Sequence, residues 1–211
     1  MSERHCDTCK YRDGIKCMLE TPCVGFDMYE PHADGKDIIG YFTDLNPSPK
    51  ILDSGNRRQF ESGAVRDIQE GKGRCDLLPL DVVADINGCG EISHIFNSIA
   101  QFQEDGVSWH LAEAVSTFAE VHYGNSEYTM FLEVSKHFEE GAKKYGENNW
   151  QKGIPVHCYI DSAVRHYLKF LRGDKDEPHD RAFCWNILCA IWTCKHKPEL
   201  NEYGNKNEDN K

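Results

Sequence analysis

The stretch that decides the fold of this chain runs over residues 141–186. It reads GAKKYGENNWQKG at 141–153, DSAVRHYLKFLRGDKD at 161–176 and HDRAFCWN at 179–186. Carboxylates, imidazoles, basic side chains and aromatic rings are crowded here into segments with helical spacing. This set of groups is typical of a site for a phosphate-bearing ligand held with a metal ion, rather than of a passive core.

Helical periodicity extends on the N-terminal side of this stretch. Apolar residues recur at intervals of three and four over 92–102 and again over 111–119, with a break near Asp105 and Gly106. A third helix is predicted from about Ser126, a fourth over about 157–172, and a last one over 182–194 that is apolar nearly all round. The pattern predicts an all-α bundle.

The third helix carries two adjacent glutamates whose orientation the periodicity predicts. Five residues share the face expected to meet the core: Phe131, Ser135, Phe138, Ala142 and Tyr145. On this phase Glu139 flanks the core, whereas Glu140 points nearly away from it. Glu139 is therefore the better candidate for a ligand-binding carboxylate.

The last helix places a polar group where the pattern demands burial. A buried amide without partners costs about 1–3 kcal/mol, so Asn186 must meet polar groups inside the bundle. His179 lies seven residues earlier on the same face, beside Asp176. These groups form either a structural network or a metal site, and a carboxylate-rich shell favours Mg²⁺ or Mn²⁺. Asp161 and Arg165 on the fourth helix border a cleft or form a plain i,i+4 salt bridge worth a few tenths of a kcal/mol.

Four cysteines lie close together at the N-terminus: Cys6, Cys9, Cys17 and Cys23. Four thiolates match the shell of a structural Zn²⁺, whose binding would supply the folding energy that so small a segment lacks. Residues 1–30 are therefore predicted to be a zinc-knuckle segment, with free cysteines in a mobile tail as the alternative. The other six cysteines are expected to be small core residues: Cys75, Cys89, Cys158, Cys184, Cys189 and Cys194.

Composition narrows the partners of the chain. Its 211 residues carry a formal net charge of -11, which argues against extended nucleic acid and anionic membranes as partners. There is no export signal and no apolar run of about 18 residues, so we expect a cytoplasmic protein. A polyanionic ligand would need a local basic pocket, and the glycine-freed loop around Arg66, Lys72 and Arg74 is either such an anion site or a solvated turn.

Taken together, the motifs resemble a known family. The arrangement GxxKYGxxNWxKG at 141–153, RH at 165–166, GDxD at 173–176 and H-x6-N at 179–186 is preceded by RDxxxGKGRxDLLP at 66–79. It is similar to phage-type dATP/dGTP diphosphohydrolases, relatives of the MazG-like all-α nucleoside triphosphate pyrophosphohydrolases. The resemblance covers 62–79 and 131–192.

The resemblance also implies a domain organisation. A MazG-like helical domain would occupy 62–198, with 87–123 as a helical insertion. The zinc segment would be an accessory joined by an irregular linker at 31–61, and the polar tail at 199–211 is expected to be disordered. By analogy the protein would be at least a homodimer, in the host cytoplasm if a phage encodes it.

The resemblance implies cleavage of a purine deoxynucleoside triphosphate between its α and β phosphates, with Mg²⁺ or Mn²⁺. Candidates for metal binding or water activation are Glu139, Asp161, Asp176 and His179. Candidates for phosphate contacts are Lys72, Arg74, Lys144, Arg165 and His166. Candidates for holding the base or sugar are Tyr145, Asn149 and Trp150, and Asn186 is a further candidate for substrate contact.

The chain also departs from the MazG pattern. That pattern has EExxE on one helix and ExxD on a later one, whereas here Lys143 follows Glu139 and Glu140, and Asn186 stands where a later carboxylate is expected. A second hypothesis is therefore a phage protein that sequesters a nucleotide or nucleotide signal without hydrolysing it. A third is a zinc-knuckle interaction module, which leaves the polar constellation unexplained.

Overall fold

The computed structural model describes residues 55–124 and 127–204 of the chain. The described residues belong to one compact unit, Asp34–Lys211. The predicted zinc segment at 1–30, most of the predicted linker and the end of the predicted tail lie outside the described residues.

Helices dominate the described residues, and a small hairpin precedes them. Strands β1 (Arg57–Gln59) and β2 (Val65–Asp67) are antiparallel, with Arg58 opposite Arg66. The helices are α1 (Leu80–Ile86), α2 (Glu91–Asp105), α3 (Trp109–His122), α4 (Glu127–Tyr145), α5 (Val156–Arg172) and α6 (His179–His196). Short 3-10 turns lie at Cys75–Leu77, Asn149–Lys152 and Pro198–Leu200. The predicted all-α class is confirmed for this part of the chain.

The core contains residues of α5 and α6 and of α2 and α3. α5 packs along α6, and α2 packs along α3. Phe118 of α3 is fully buried, and its ring centroid lies 4.8 Å from that of Phe183 and 5.8 Å from that of Tyr167. The predicted helical insertion at 87–123 is therefore part of the same core as α5 and α6.

The predicted break between α2 and α3 is confirmed, and Gly106 explains it. Gly106 ends α2 with a φ of 73°, in the left-handed region that favours glycine. A Cβ at this position would lie 2.5 Å from the backbone oxygen of Tyr203. The residue therefore both stops the helix and admits the C-terminal segment.

The predicted core face of α4 is wrong by about one residue in phase. Met130, Val134 and His137 are buried, whereas Phe131 is 46% exposed and Ser135 is exposed. The large side chains of Phe138 and Tyr145 misled the prediction because both line an open cavity, although Phe138 also packs against the edge of the core.

Two segments expected to be irregular carry defined structure. Strand β1 falls within the predicted linker at 31–61. This part of the linker is regular because its backbone pairs with that of β2. The start of the predicted disordered tail is packed, since the Tyr203 ring lies 5.2 Å from that of Phe102 and the Glu202 carboxylate lies 2.7 Å from His157 Nδ1.

Three of the six cysteines expected in the core are buried: Cys158, Cys184 and Cys189. Cys75 and Cys194 are partly buried, and Cys89 is exposed because it lies in the loop before α2. Among the described helices, none combines the length and apolar character needed to span a membrane.

Candidate functional site

A cavity of about 870 Å³ opens between the hairpin, the C-terminal half of α4, and α5 and α6. The loop after β2 and the turn after α4 complete its wall. Its volume lies in the range of small-molecule pockets, roughly 300–1,000 Å³. The helical motifs of residues 141–186 thus meet the basic loop of residues 66–74 around one space.

Arg66 of β2 fastens the hairpin to both long helices. Its guanidinium donates to the Cys158 carbonyl oxygen at 3.0 Å and to Asn186 Oδ1 at 2.8 Å. It also donates to Ser162 Oγ and lies 5.0 Å from the centre of the Tyr159 ring. Asn186 in turn donates to the Ala182 carbonyl oxygen. The expectation that Asn186 meets polar partners inside the bundle is confirmed.

Asp161 is a buried hub of hydrogen bonds. Arg165 donates to both of its carboxylate oxygens at 3.1 and 2.8 Å. Gln69 Nε2 and the Cys75 backbone N–H donate to it as well, at 3.0 and 2.7 Å. The Asp161–Arg165 pair is therefore more than a surface i,i+4 bridge, because it also fixes the loop that follows β2. The same four hydrogen bonds occupy the oxygens that a metal ion would need.

Asp67, which lines the cavity, binds three side chains. Lys144 Nζ lies 2.8 Å from its carboxylate, the Tyr145 hydroxyl donates to it at 2.9 Å, and Arg57 lies 3.1 Å away. Burial and the bond to Asp67 raise the pKa of Tyr145 well above its ordinary value. Lys144 is buried against Asp67, so this predicted phosphate contact is an internal ion pair in the structure.

The predicted base-binding residues line the cavity, and two of them also hold its wall together. Asn149 pairs with the backbone of Val65, accepting from its N–H at 2.9 Å and donating to its carbonyl oxygen at 2.8 Å. The Trp150 ring packs edge-on against Trp192 and Phe138. Asn149, Trp150 and Tyr145 all line the cavity.

A chain of two imidazoles and a carboxylate joins α5 to the start of α6. His166 Nδ1 lies 2.9 Å from His179 Nδ1, and His179 Nε2 lies 2.8 Å from Asp176. Burial, and then the neighbouring His179, hold the pKa of His166 well below its ordinary value. Hydrogen bonding from Lys169, and then from His179, lowers the pKa of Asp176.

The burial of the two adjacent glutamates of α4 is the reverse of the prediction, although Glu139 lines the cavity and Glu140 does not. Glu139 is 65% exposed and pairs with Lys143 at the cavity rim, which lowers its pKa. Glu140 is 24% exposed and lies 3.6 Å from the buried Arg181. The cause is the phase of α4, since the buried residue His137 brings Glu140 inward.

The two predicted phosphate contacts of the basic loop also differ. Lys72 lines the cavity, and partial burial lowers its pKa. Arg74 lies outside the cavity lining and pairs with the buried Asp76 at 2.7 Å. Arg165 and His166 line the cavity as well.

The described residues do not bring the four predicted metal ligands together. Asp161 is saturated by hydrogen bonds, and Glu139 pairs with Lys143. Only Asp176 and His179 are neighbours. Among the described residues, two clusters have ligand atoms within 4.8 Å of one another: His166 with Glu177 and His179, and Asp174 with Asp176 and His179. The donor set for a magnesium ion is thus not assembled as predicted.

Several residues of the site were absent from the sequence candidates. Asp67 stands in the quoted RD motif but was not a candidate. Arg66 was predicted only as part of the basic loop, because its position opposite α5 and α6 depends on the hairpin. Glu177 follows the GDxD motif directly. His137 and Trp185 read as core residues, yet both line the cavity, and His137 Nδ1 and Trp185 Nε1 are buried without a hydrogen-bond partner.

The fold and the cavity define a helical protein with a cavity of small-molecule size, lined by both cationic and aromatic side chains. The family model described as "dATP/dGTP diphosphohydrolase, N-terminal" matches residues 120–203, which hold α4, α5 and α6. The resemblance of the chain to this family is confirmed over that segment. No curated protein and no solved structure gives a significant match to the chain.

His137 makes stability depend on pH in a defined direction. Burial, and then Arg181 and Arg66, lower its pKa to about 3. Below about pH 6.5 His137 binds a proton in the unfolded chain but stays neutral in the folded chain. The free energy of unfolding therefore falls by up to roughly 1.4 kcal/mol per pH unit toward pH 3. In His137→Gln this slope should be shallower than in the wild type, measured by urea unfolding between pH 4 and pH 7. The exposed His196→Gln should keep the wild-type slope, and equal slopes in all three proteins would contradict the assignment.

Proposed function

We propose that this protein is a metal-dependent diphosphohydrolase that converts dATP or dGTP to the monophosphate and pyrophosphate. The observation that carries the proposal is the cavity itself, which combines cations and aromatic rings within the family-matched helices and the loop packed on them. An acidic chain with a formal net charge of -11 needs such a local concentration of positive charge to hold a triphosphate.

One part of the cavity suits phosphates. Lys72, Arg165 and Lys169 line it, and Arg66 lies beside them on β2. Arg165 is held by Asp161, so its guanidinium is positioned before a ligand arrives. Fixed cations of this kind neutralise the charge that develops on phosphate oxygens during cleavage.

Another part suits a purine. Phe138, Tyr145, Trp150 and Trp185 line it with their rings. Aromatic faces stack on any base, so the choice between adenine and guanine depends on polar groups at the base edge. His137 and Trp185 line the cavity, and each carries a buried nitrogen without a hydrogen-bond partner, which a turn of the side chain would present to a base edge.

The proposal includes a divalent ion. When bound, such an ion would lower the pKa of a coordinated water and offset phosphate charge. Glu139, Asp161, Asp176 and His179 remain the ligands that the resemblance implies. The residues of this chain would bind the triphosphate, orient it along the cavity and hold the purine against the aromatic side.

A second candidate function is sequestration of a purine nucleotide without hydrolysis. It is favoured by the ion pairs of Glu139 and Asp161, which leave two of the implied ligands occupied by cationic side chains. Binding without turnover needs the cations and rings of the cavity but no metal-activated water.

The two functions are separated by product analysis. Purified full-length protein is incubated with dATP, dGTP, ATP, GTP and dTTP, each with Mg²⁺, with Mn²⁺ or with excess chelator, and the products are identified by mass spectrometry. We expect metal-dependent monophosphate and pyrophosphate, formed fastest from dATP or dGTP. Intact nucleotide bound to the protein would establish sequestration, and neither product nor bound nucleotide would contradict both.

A matched pair of lysine variants tests the cavity as the phosphate site. Lys72→Ala removes a cavity cation and should lower kcat/KM by about 10- to 100-fold, the typical worth of a charge-assisted hydrogen bond. Lys175→Ala removes an exposed lysine outside the cavity lining and should leave kcat/KM unchanged. Equal effects of the two changes would remove Lys72 from the site.

We also propose that the protein forms a homo-oligomer through α4. Tyr128 and Leu132 are 81% and 69% exposed, and with Phe131 they form an apolar patch at i, i+3 and i+4. A second copy placed on this patch would remove it from water, as in a two-fold interface.

Sedimentation measurements test this assembly. The wild type is expected to be at least a dimer, and Leu132→Asp should shift it toward the monomer because a charge would then be buried. Ile86→Asp on α1, also at an exposed apolar residue, serves as the control and should leave the mass unchanged. A wild type that is monomeric at every concentration would contradict the proposal.

A further inference from the structure

We propose that His166, Glu177 and His179 form a binding site for one divalent transition-metal ion in the wall of the cavity. This site differs from the ligand set that the resemblance implies, sharing only His179 with it. The part that the ion plays in catalysis rests on the function proposed above, whereas its binding does not.

The positions of the donor atoms carry the proposal. One ligand atom from each of the three residues lies within 4.8 Å of the others, and the two Nδ1 atoms are 2.9 Å apart. An ion about 2.1 Å from both nitrogens would bind them at an angle of about 90°. That angle is the one between neighbouring ligands of an octahedral ion. Both rings must turn to admit the metal, because in the hydrogen-bonded pair the two nitrogens face each other.

Asp176 prepares His179 for this role. A carboxylate accepts hydrogen bonds, so the contact of 2.8 Å requires the Nε2 proton of His179 to point at Asp176. In the neutral ring the Nδ1 lone pair of His179 then faces His166. Histidines that bind metals commonly donate their other N–H to a carboxylate in this way, which fixes the ring and raises its basicity.

His166 must exchange tautomers when the ion binds. Without the ion its Nδ1 proton is donated to the Nδ1 lone pair of His179. With the ion bound, this proton leaves Nδ1 and an equivalent proton joins Nε2 through water. The number of protons on the ring is unchanged, so the exchange itself releases no net proton.

The neighbouring acidic cluster is a weaker competitor for the ion. It also contains His179, but its two carboxylates each face a cation: Arg172 donates to Asp174 at 2.7 Å and Lys169 donates to Asp176 at 2.8 Å. Metal binding there would have to displace both ion pairs. The cluster formed with His166 and Glu177 instead opens on the cavity, which both of these residues line.

The chemistry of the donors indicates the class of ion. Two imidazole nitrogens and one carboxylate favour first-row transition metals, whereas Mg²⁺ prefers oxygen ligands and retains its waters. Mn²⁺ is the appropriate probe, because the N-terminal thiols favour softer ions such as Zn²⁺ and compete little for manganese.

Direct binding tests the site without nucleotide. Metal-free full-length protein is titrated with Mn²⁺, and the free ion is followed by its EPR signal. We expect one tight Mn²⁺ per chain that excess Mg²⁺ does not displace. His166→Gln and Glu177→Gln should each weaken this binding by at least about 100-fold, and Asp176→Asn by about 10- to 100-fold through the orientation of His179. Asp174→Asn is the matched control and should bind as the wild type does.

The outcomes separate this inference from the proposed function. Mn²⁺ binding that survives His166→Gln and Glu177→Gln in folded proteins, or that is lost in Asp174→Asn, overturns the inference. Absence of tight binding in the wild type overturns it too, even if nucleotide is hydrolysed with Mg²⁺. Tight binding that depends on His166 and Glu177 supports it even if no nucleotide is hydrolysed, and in that case only the function fails. Circular dichroism and thermal unfolding of each variant establish that it is folded.

Discussion

The site depends on the hydrogen bonds that the guanidinium of Arg66 donates to the two long helices. This side chain hydrogen-bonds α5 at both Cys158 and Ser162 and α6 at Asn186. Because Arg66 belongs to a hairpin of only two short strands, the hairpin is held by these bonds and by the pairing of Asn149 with Val65. A partly buried guanidinium without its partners would be costly, so the hairpin, the two helices and the cavity between them form together.

The Asp161–Arg165 ion pair extends this arrangement to the basic loop. Asp161 holds Arg165 on its own helix and accepts hydrogen bonds from Gln69 and the Cys75 backbone, so the loop carrying Lys72 cannot move independently of α5. Positive charge is thereby fixed around a cavity in a chain that is strongly acidic overall. Preorganised charge of this kind favours an anionic ligand because little reorganisation is needed when it binds.

The sequence predicted the helices well and their side-chain roles less well. Periodicity located the break at Gly106 because that signal is local, and it placed α5 within one residue of its observed start. It failed on α4, where Phe138 and Tyr145 are large and apolar but face a cavity, which no periodicity distinguishes from a core. It could not show that Asp161 is committed to hydrogen bonds, because its partners Gln69 and Cys75 lie about ninety residues earlier in the chain. Motif spacing identified His179, but its closeness to His166 depends on how α5 and α6 pack.

The central claim is that the cavity organised by Arg66 is a nucleotide site. Hydrogen–deuterium exchange of the wild type with and without a non-hydrolysable dGTP analogue tests it most directly. The account predicts slower exchange in β2 and the loop after it, in the C-terminal turn of α4 and in the first turns of α6, with α1 and α2 unchanged. Protection confined to α1 and α2, or no protection at saturating analogue, would contradict it.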